Sequence, residues 1–196
     1  MDFPLVPERT ALINVDLQNC FVDSLDDPAP FVGRLNDLSA ASRDAGILVV
    51  FTRHVVRSDG SNLGLLREVE RIRDGQLNDG APTAELSPLV DVKATDLVVK
   101  KPRFGAFQGT DLELTLRSLG IDTLIISGIS TIVCCDTTAR EAHARDFRVF
   151  FLADGTATAA GPEFQQHAID VLDGLFAQVI DLDSMLAKIR ATHPVT

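Results

Sequence analysis

Ile47-Leu-Val-Val-Phe-Thr52 is an uninterrupted apolar, β-branched run. It has no polar face to offer water, so as a strand it must be covered on both sides. Thr10-Ala-Leu-Ile-Asn-Val-Asp16 and Thr123-Leu-Ile-Ile-Ser127 have the same character. Asp96-Leu-Val-Val-Lys-Lys101, Arg148-Val-Phe-Phe-Leu-Ala153 and the shorter Gln178-Val-Ile-Asp181 complete the set. Between them lie helical stripes. Phe31 to Ala45 stops at Gly46, Leu112 to Leu119 is opened by Thr110 and stopped by Gly120, and a helix begins near Cys134. Pro162 to Ala177 is opened by proline, and Ser184 to Arg190 closes the chain. Six strands alternating with helices predict a three-layer α/β/α sandwich around a mainly parallel, Rossmann-like sheet.

At 196 residues, 1–196 is expected to form one domain. Residues 53–95 depart from the alternation. They are charged and turn-rich, with one helical patch at Leu63 to Ile72, and they read as a lid or specificity excursion or else as a solvated loop. A net charge of −10 and scattered basic residues argue against a nucleic-acid partner. A mean hydropathy of +0.15, the lack of a long apolar run and a non-basic start predict a cytoplasmic protein without a membrane partner. Three cysteines, two of them adjacent, do not make a secreted disulfide framework, and no zinc-ligand spacing is present.

In parallel sheets, ligands bind beyond the carboxyl ends of the strands, near the reversal of strand order. Three strands deliver reactive groups there: Asp16 after the first, Lys101 after the third and Cys134 after the fourth. Taken singly, each has a plain role available: Asp16 as a cap, Lys101 as a solvated strand end, Cys134 as a small buried residue. Together they suit nucleophilic attack on an amide carbonyl. The helix N-terminus and Lys101 stabilise a thiolate, Asp16 accepts its proton, and the turn before Cys134 offers N–H donors to a tetrahedral oxyanion. On this reading Cys134 is a low-pKa thiol that alkylates quickly near neutral pH.

Three ordered blocks carry a family resemblance: Val15-Asp-Leu-Gln-Asn-Cys-Phe21, Lys101-Pro-Arg-Phe-Gly-Ala-Phe-Gln-Gly-Thr110 and Gly128-Ile-Ser-Thr-Ile-Val-Cys-Cys-Asp-Thr-Thr-Ala-Arg-Glu-Ala142. They resemble the signature blocks of the isochorismatase-like cysteine hydrolases, over nearly the whole chain. The resemblance implies an Asp16–Lys101–Cys134 triad, a cis peptide before Ser130, and an oxyanion hole formed by the amides of Ser130 and Cys134. It implies a small-molecule substrate and a homodimer or homotetramer. Gln18 and Arg103 are candidates to orient an acid or carbonyl of the substrate, and Phe21 and Phe104 to wall its pocket. Gly105, Cys20 and Ile132 depart from residues frequent in the family. Nicotinamidase relatives hold a metal through an Asp-x-His pair and a further histidine; here Thr52-Arg-His54 has Thr at the Asp position, so His54 reads as structural, and no metal or cofactor is expected.

The function that follows is hydrolysis of a C–N bond in a small amide, carbamoyl or ureido compound through a thioester acyl-enzyme. Two alternatives stand beside it. One is isochorismatase-type hydrolysis of a vinyl ether, which does not require the thiol. The other is a catalytically idle binding or assembly protein.

Overall fold

A computed structural model describes residues 3–192. The chain runs β1 (Thr10–Val15), α1 (Asn19–Val22), α2 (Pro28–Asp44), β2 (Leu48–His54), α3 (Glu70–Arg73), β3 (Leu97–Lys101) and α4 (Leu112–Ser118). It continues through β4 (Thr123–Ile129), α5 (Asp136–His143), β5 (Arg148–Ala157), α6 (Pro162–Leu172), β6 (Gln178–Ile180) and α7 (Leu182–Thr192). The strands form a six-stranded sheet in the order β3-β2-β1-β4-β5-β6, with every neighbouring pair parallel.

The apolar runs of the central strands β1, β2 and β4 are buried on both faces, as their composition requires, whereas the edge strand β3 leaves Val98 and Lys100 exposed. Along β1, Ala11, Ile13 and Val15 pack with α4, α5 and α6 on one side, while Leu12 packs with α2 and α7 on the other. In β4, Leu124 and Ile126 face the first layer and Ile125 the second. Each fully buried Leu or Ile of this kind contributes roughly 1.5–3 kcal/mol relative to exposure. The sandwich is therefore stabilised from the central strands outward. No helix among the described residues is long and apolar enough to cross a membrane.

Several boundaries differ from the sequence expectation, for local reasons. The second helix begins at Pro28 rather than Phe31, because the prolines expected to lie in a loop occupy its first turn, where a missing N–H costs nothing. The sixth helix stops at Leu172 rather than Ala177. Asp173 is extended and Gly174 takes φ 72, a left-handed stop overlooked in the apolar pattern. The fourth strand runs on through Gly128 to Ile129 instead of turning at Gly128. Gly128 has φ 117, and a Cβ there would stand 2.1 Å from the Val15 carbonyl oxygen, so only glycine lets β1 and β4 approach this closely.

The 53–95 excursion begins inside β2 and carries three short helical pieces, Gly64–Glu68, α3 and Pro82–Ala84; the first two stand in place of the one patch expected. It has a small core of its own in Val56, Leu66, Ile72 and Leu77, against which Phe21 and Phe104 pack. Backbone bonds from Val56 to Leu77 and from Asp79 to Val56 tie its return to the end of β2.

Candidate active site

Strand order reverses between β1 and β4, so the carboxyl ends of these neighbours form the crevice where a parallel sheet accepts a ligand. Asp16 is the first residue beyond β1. Its φ of 50 lies in the left-handed region, one that Asp tolerates better than most residues. The carboxylate is fully buried. Thr52 of β2 fixes it twice: the hydroxyl donates to Asp16 Oδ1 at 2.6 Å and accepts from the Asp16 amide at 3.2 Å.

Lys101 ends β3, two strands away, and its long side chain crosses the end of β2. The ammonium stands 2.7 Å from Asp16 Oδ2, with both side chains fully buried. It also donates to the carbonyls of Arg103 at 2.9 Å and Phe104 at 2.7 Å. Two carbonyl acceptors and the facing carboxylate therefore hold the charge in place.

Cys134 approaches from β4. The Ile129–Ser130 peptide is cis, and Ser130 accepts bonds at 3.1 Å from the amides of both Val133 and Cys135. The second bond spans five residues, so Thr131–Cys135 winds as a π-helical turn before α5 begins at Asp136. The helix thus starts two residues beyond the position expected from sequence. Cys134 lies in the widened turn that precedes it, a form common at functional sites. Cys135 is fully buried beneath and packs in the core, and all three cysteines are free.

Electrostatics correct one sequence expectation. Burial pushes the Cys134 thiol up to about 12, and the Asp16 carboxylate adds to this more than Lys101 offsets it. For Lys101, burial works against the charge, but Asp16 and Cys134 together outweigh it and hold the ammonium above its ordinary range. Burial and the nearby Lys101 charge press His54 down to about 4, so its ring is neutral.

A cavity of about 380 Å³ opens over the cysteine. Its lining includes Cys20, Phe21, His54, Phe104, Ile129 and Cys134, and residues 158–160. The excursion supplies Val69, Ile72, Gln76 and Leu77 to it as well. Ser130 also faces the cavity, its hydroxyl 3.0 Å from that of Thr158. Of the residues expected to touch a substrate, Phe21 and Phe104 therefore line the cavity, and Gln18 and Arg103 do not. Gln18 donates to the carbonyls of His54 and Ala84 and accepts from the His54 amide, pinning β2 to the excursion. Arg103 donates to the carbonyls of Asn62 and Pro102 and so braces the excursion from below.

Sequence reasoning missed Thr52 as the clamp on Asp16; the signal available was a hydroxyl in an otherwise apolar strand, near its carboxyl end. The departure at Gly105 also has a cause. A Cβ there would fall 2.2 Å from the Glu141 carboxylate, which accepts from the Phe107 amide at 3.1 Å.

Among the described residues, Asp16, His54 and Cys134 bring possible metal-ligand atoms within 4.8 Å of one another. The donor set does not suit a cation. Thr52 occupies one Asp16 oxygen, and the Lys101 ammonium faces the other.

The chain is similar to known proteins over most of its length. The family model described as Isochorismatase domain matches residues 10–184. The ureidoacrylate amidohydrolase RutB of Serratia proteamaculans is 30% identical over 94% of this chain and 84% of its own length. Nicotinamidase 3 of Arabidopsis thaliana is 32% identical over 89% of this chain and 86% of its own. The crystal structure of a cysteine hydrolase from Pseudomonas syringae pv. phaseolicola superposes with a TM-score of 0.91 at 30% identity, covering 98% of this chain and 97% of that one.

Proposed function

As the chain belongs to the isochorismatase family, we propose that it is a cysteine amidohydrolase, cleaving the C–N bond of a small amide, carbamoyl or ureido compound. The observation that carries this is the buried Asp16–Lys101 pair at 2.7 Å, set beside the Cys134 thiol that lines a substrate-sized cavity. The named relatives are an amidohydrolase and a nicotinamidase, which favours amide chemistry over vinyl ether cleavage.

The chemistry begins with a proton. Asp16 takes it from the Cys134 thiol as sulfur attacks the carbonyl carbon, and Lys101 balances the charge that remains in the pocket. The carbonyl oxygen becomes an oxyanion, for which the amides of Ser130 and Cys134 are the proposed donors. The intermediate collapses, the C–N bond breaks, and the amine leaves with the proton held on Asp16. Water then adds to the thioester, with Asp16 again accepting a proton, and the acid departs as the thiol is restored. The proton inventory closes over the cycle. The same reading makes 53–95 a specificity excursion, since it builds one cavity wall.

Ammonia release across a panel of small amides and ureides tests the proposal. Wild-type protein should turn over at least one class, and Cys134→Ala should lose activity on every substrate while keeping the fold. Undiminished hydrolysis by Cys134→Ala would overturn it.

A further inference from the structure

The wall of the cavity says what kind of amide it accepts. Among the described residues that line it, none is lysine or arginine. Two cations beside the site, among the described residues, are committed elsewhere. Lys101 spends its protons on Asp16 and two carbonyls, and Arg103 holds the carbonyls of Asn62 and Pro102. A substrate carboxylate would thus enter a largely apolar chamber whose described lining offers neutral groups, such as Ser24, Gln76 and Thr158, and no cation to pair with it. Burying an unpaired carboxylate is among the most costly events a protein can undergo.

One polar side chain in this wall has nothing to bind. His54 is 1% exposed, and its Nε2 is buried without a hydrogen-bond partner. The ring packs edge-on against Phe104, with centroids 5.6 Å apart. A ring nitrogen lies within 4.8 Å of both the Cys134 sulfur and an Asp16 oxygen. Sulfur must come to roughly 3–3.5 Å from the carbon it attacks. A group bonded to that carbon therefore falls within reach of the imidazole. An orphaned buried nitrogen is destabilising until something pairs with it.

We propose that the substrate is an uncharged amide with an apolar body, that the cavity rejects carboxylate-bearing amides and ureides, and that His54 pairs with the amide group at the scissile carbon. The inference rests on the amidohydrolase reading for its choice of ligand class, and it is tested by binding, so the two can fail separately. In 4-methylpentanamide and succinamate, an isopropyl group and a carboxylate of similar shape sit on the same chain. Calorimetric binding to Cys134→Ala protein, or to Cys134→Ser if the first does not fold, should favour 4-methylpentanamide at least tenfold. Equal or tighter binding of succinamate would overturn the substrate class. 5-Methylhexan-2-one replaces only the amide NH2 with CH3. The same protein should prefer the amide to this ketone, His54→Leu in that background should remove the preference, and His54→Gln should retain part of it. A preference that survives His54→Leu would overturn the role of His54, since a merely structural side chain would not alter discrimination between ligands of one shape. Failure of wild-type protein to release ammonia from any amide would count against the hydrolase reading, while these binding ratios would still decide the pocket's selectivity.

Discussion

The hydroxyl of Thr52 meets Asp16 at two points, giving a proton to its carboxylate at 2.6 Å and taking one from its backbone amide at 3.2 Å. One side chain thus fixes both the conformation at the end of β1 and the direction of the acid. Thr52→Val keeps the shape and deletes the bonds. It leaves a buried amide and a carboxylate oxygen short of partners, at an expected cost of about 1–3 kcal/mol. Urea denaturation should show that loss, and kcat should fall more than KM rises, because the misdirected group is the proton acceptor.

Removing one member of the Asp16–Lys101 pair strands the other in a fully buried site. Lys101→Met and Asp16→Asn should each destabilise the fold, by about 3–5 kcal/mol where a full charge is left behind. The double variant should lose clearly less than the sum of the two. A double-mutant cycle on denaturation midpoints measures the coupling; additive losses would mean that the pair does not interact energetically.

The Cys134 thiol, pushed up to about 12, should alkylate with iodoacetamide at pH 7 more slowly than an unfolded cysteine. Asp16→Asn removes the anion that helps hold the proton on sulfur and leaves the Lys101 ammonium in place. That variant should alkylate faster than wild type while losing amide hydrolysis. Opposite movements of thiol reactivity and turnover would identify Asp16 as the group that keeps the thiol protonated and later takes its proton.

His54 titrates at about 4 in the fold against 6.5 unfolded, through burial and the Lys101 and Arg103 charges, with Asp16 opposing them. Below pH 6.5 the unfolded chain takes up this proton first. The stability it represents is present above 6.5, is lost as pH falls toward 4, and changes no further below that. The drop amounts to roughly 3 kcal/mol. His54→Gln should flatten this segment of the stability–pH curve; an unchanged slope between pH 6.5 and 4 would assign the dependence to other groups.

The sheet was legible because its central strands are buried on both faces and are written largely with apolar residues. Asp16, Lys101 and Cys134 were legible because each closes or follows such a run. The detail of Thr131–Cys135 was not. Its five-residue bond depends on where the Ser130 carbonyl points, and the local composition suits an ordinary helix start equally well. The low-pKa thiol expected from a helix N-terminus gave way to depth of burial and to Asp16, both products of tertiary structure. Gln18 and Arg103 read as substrate ligands because a polar side chain beside a reactive block does not reveal its partner; here the partners are backbone carbonyls. The helical patch at Leu63 to Ile72 was legible, but not its division at Val69, whose backbone is extended.

The cavity has two kinds of wall. His54, Ile129 and Cys134 belong to strands or to the turn that follows them, and altering their backbone would disturb the pairing that holds the domain together. Val69, Ile72, Gln76 and Leu77 hang from β2 on a small separate core. On the proposed function, reaction and selectivity are therefore written largely on different parts of the chain. Randomising this second set is the natural route to redirecting the protein toward new amides, since the groups that break the bond can stay untouched while the surface that chooses the molecule is replaced.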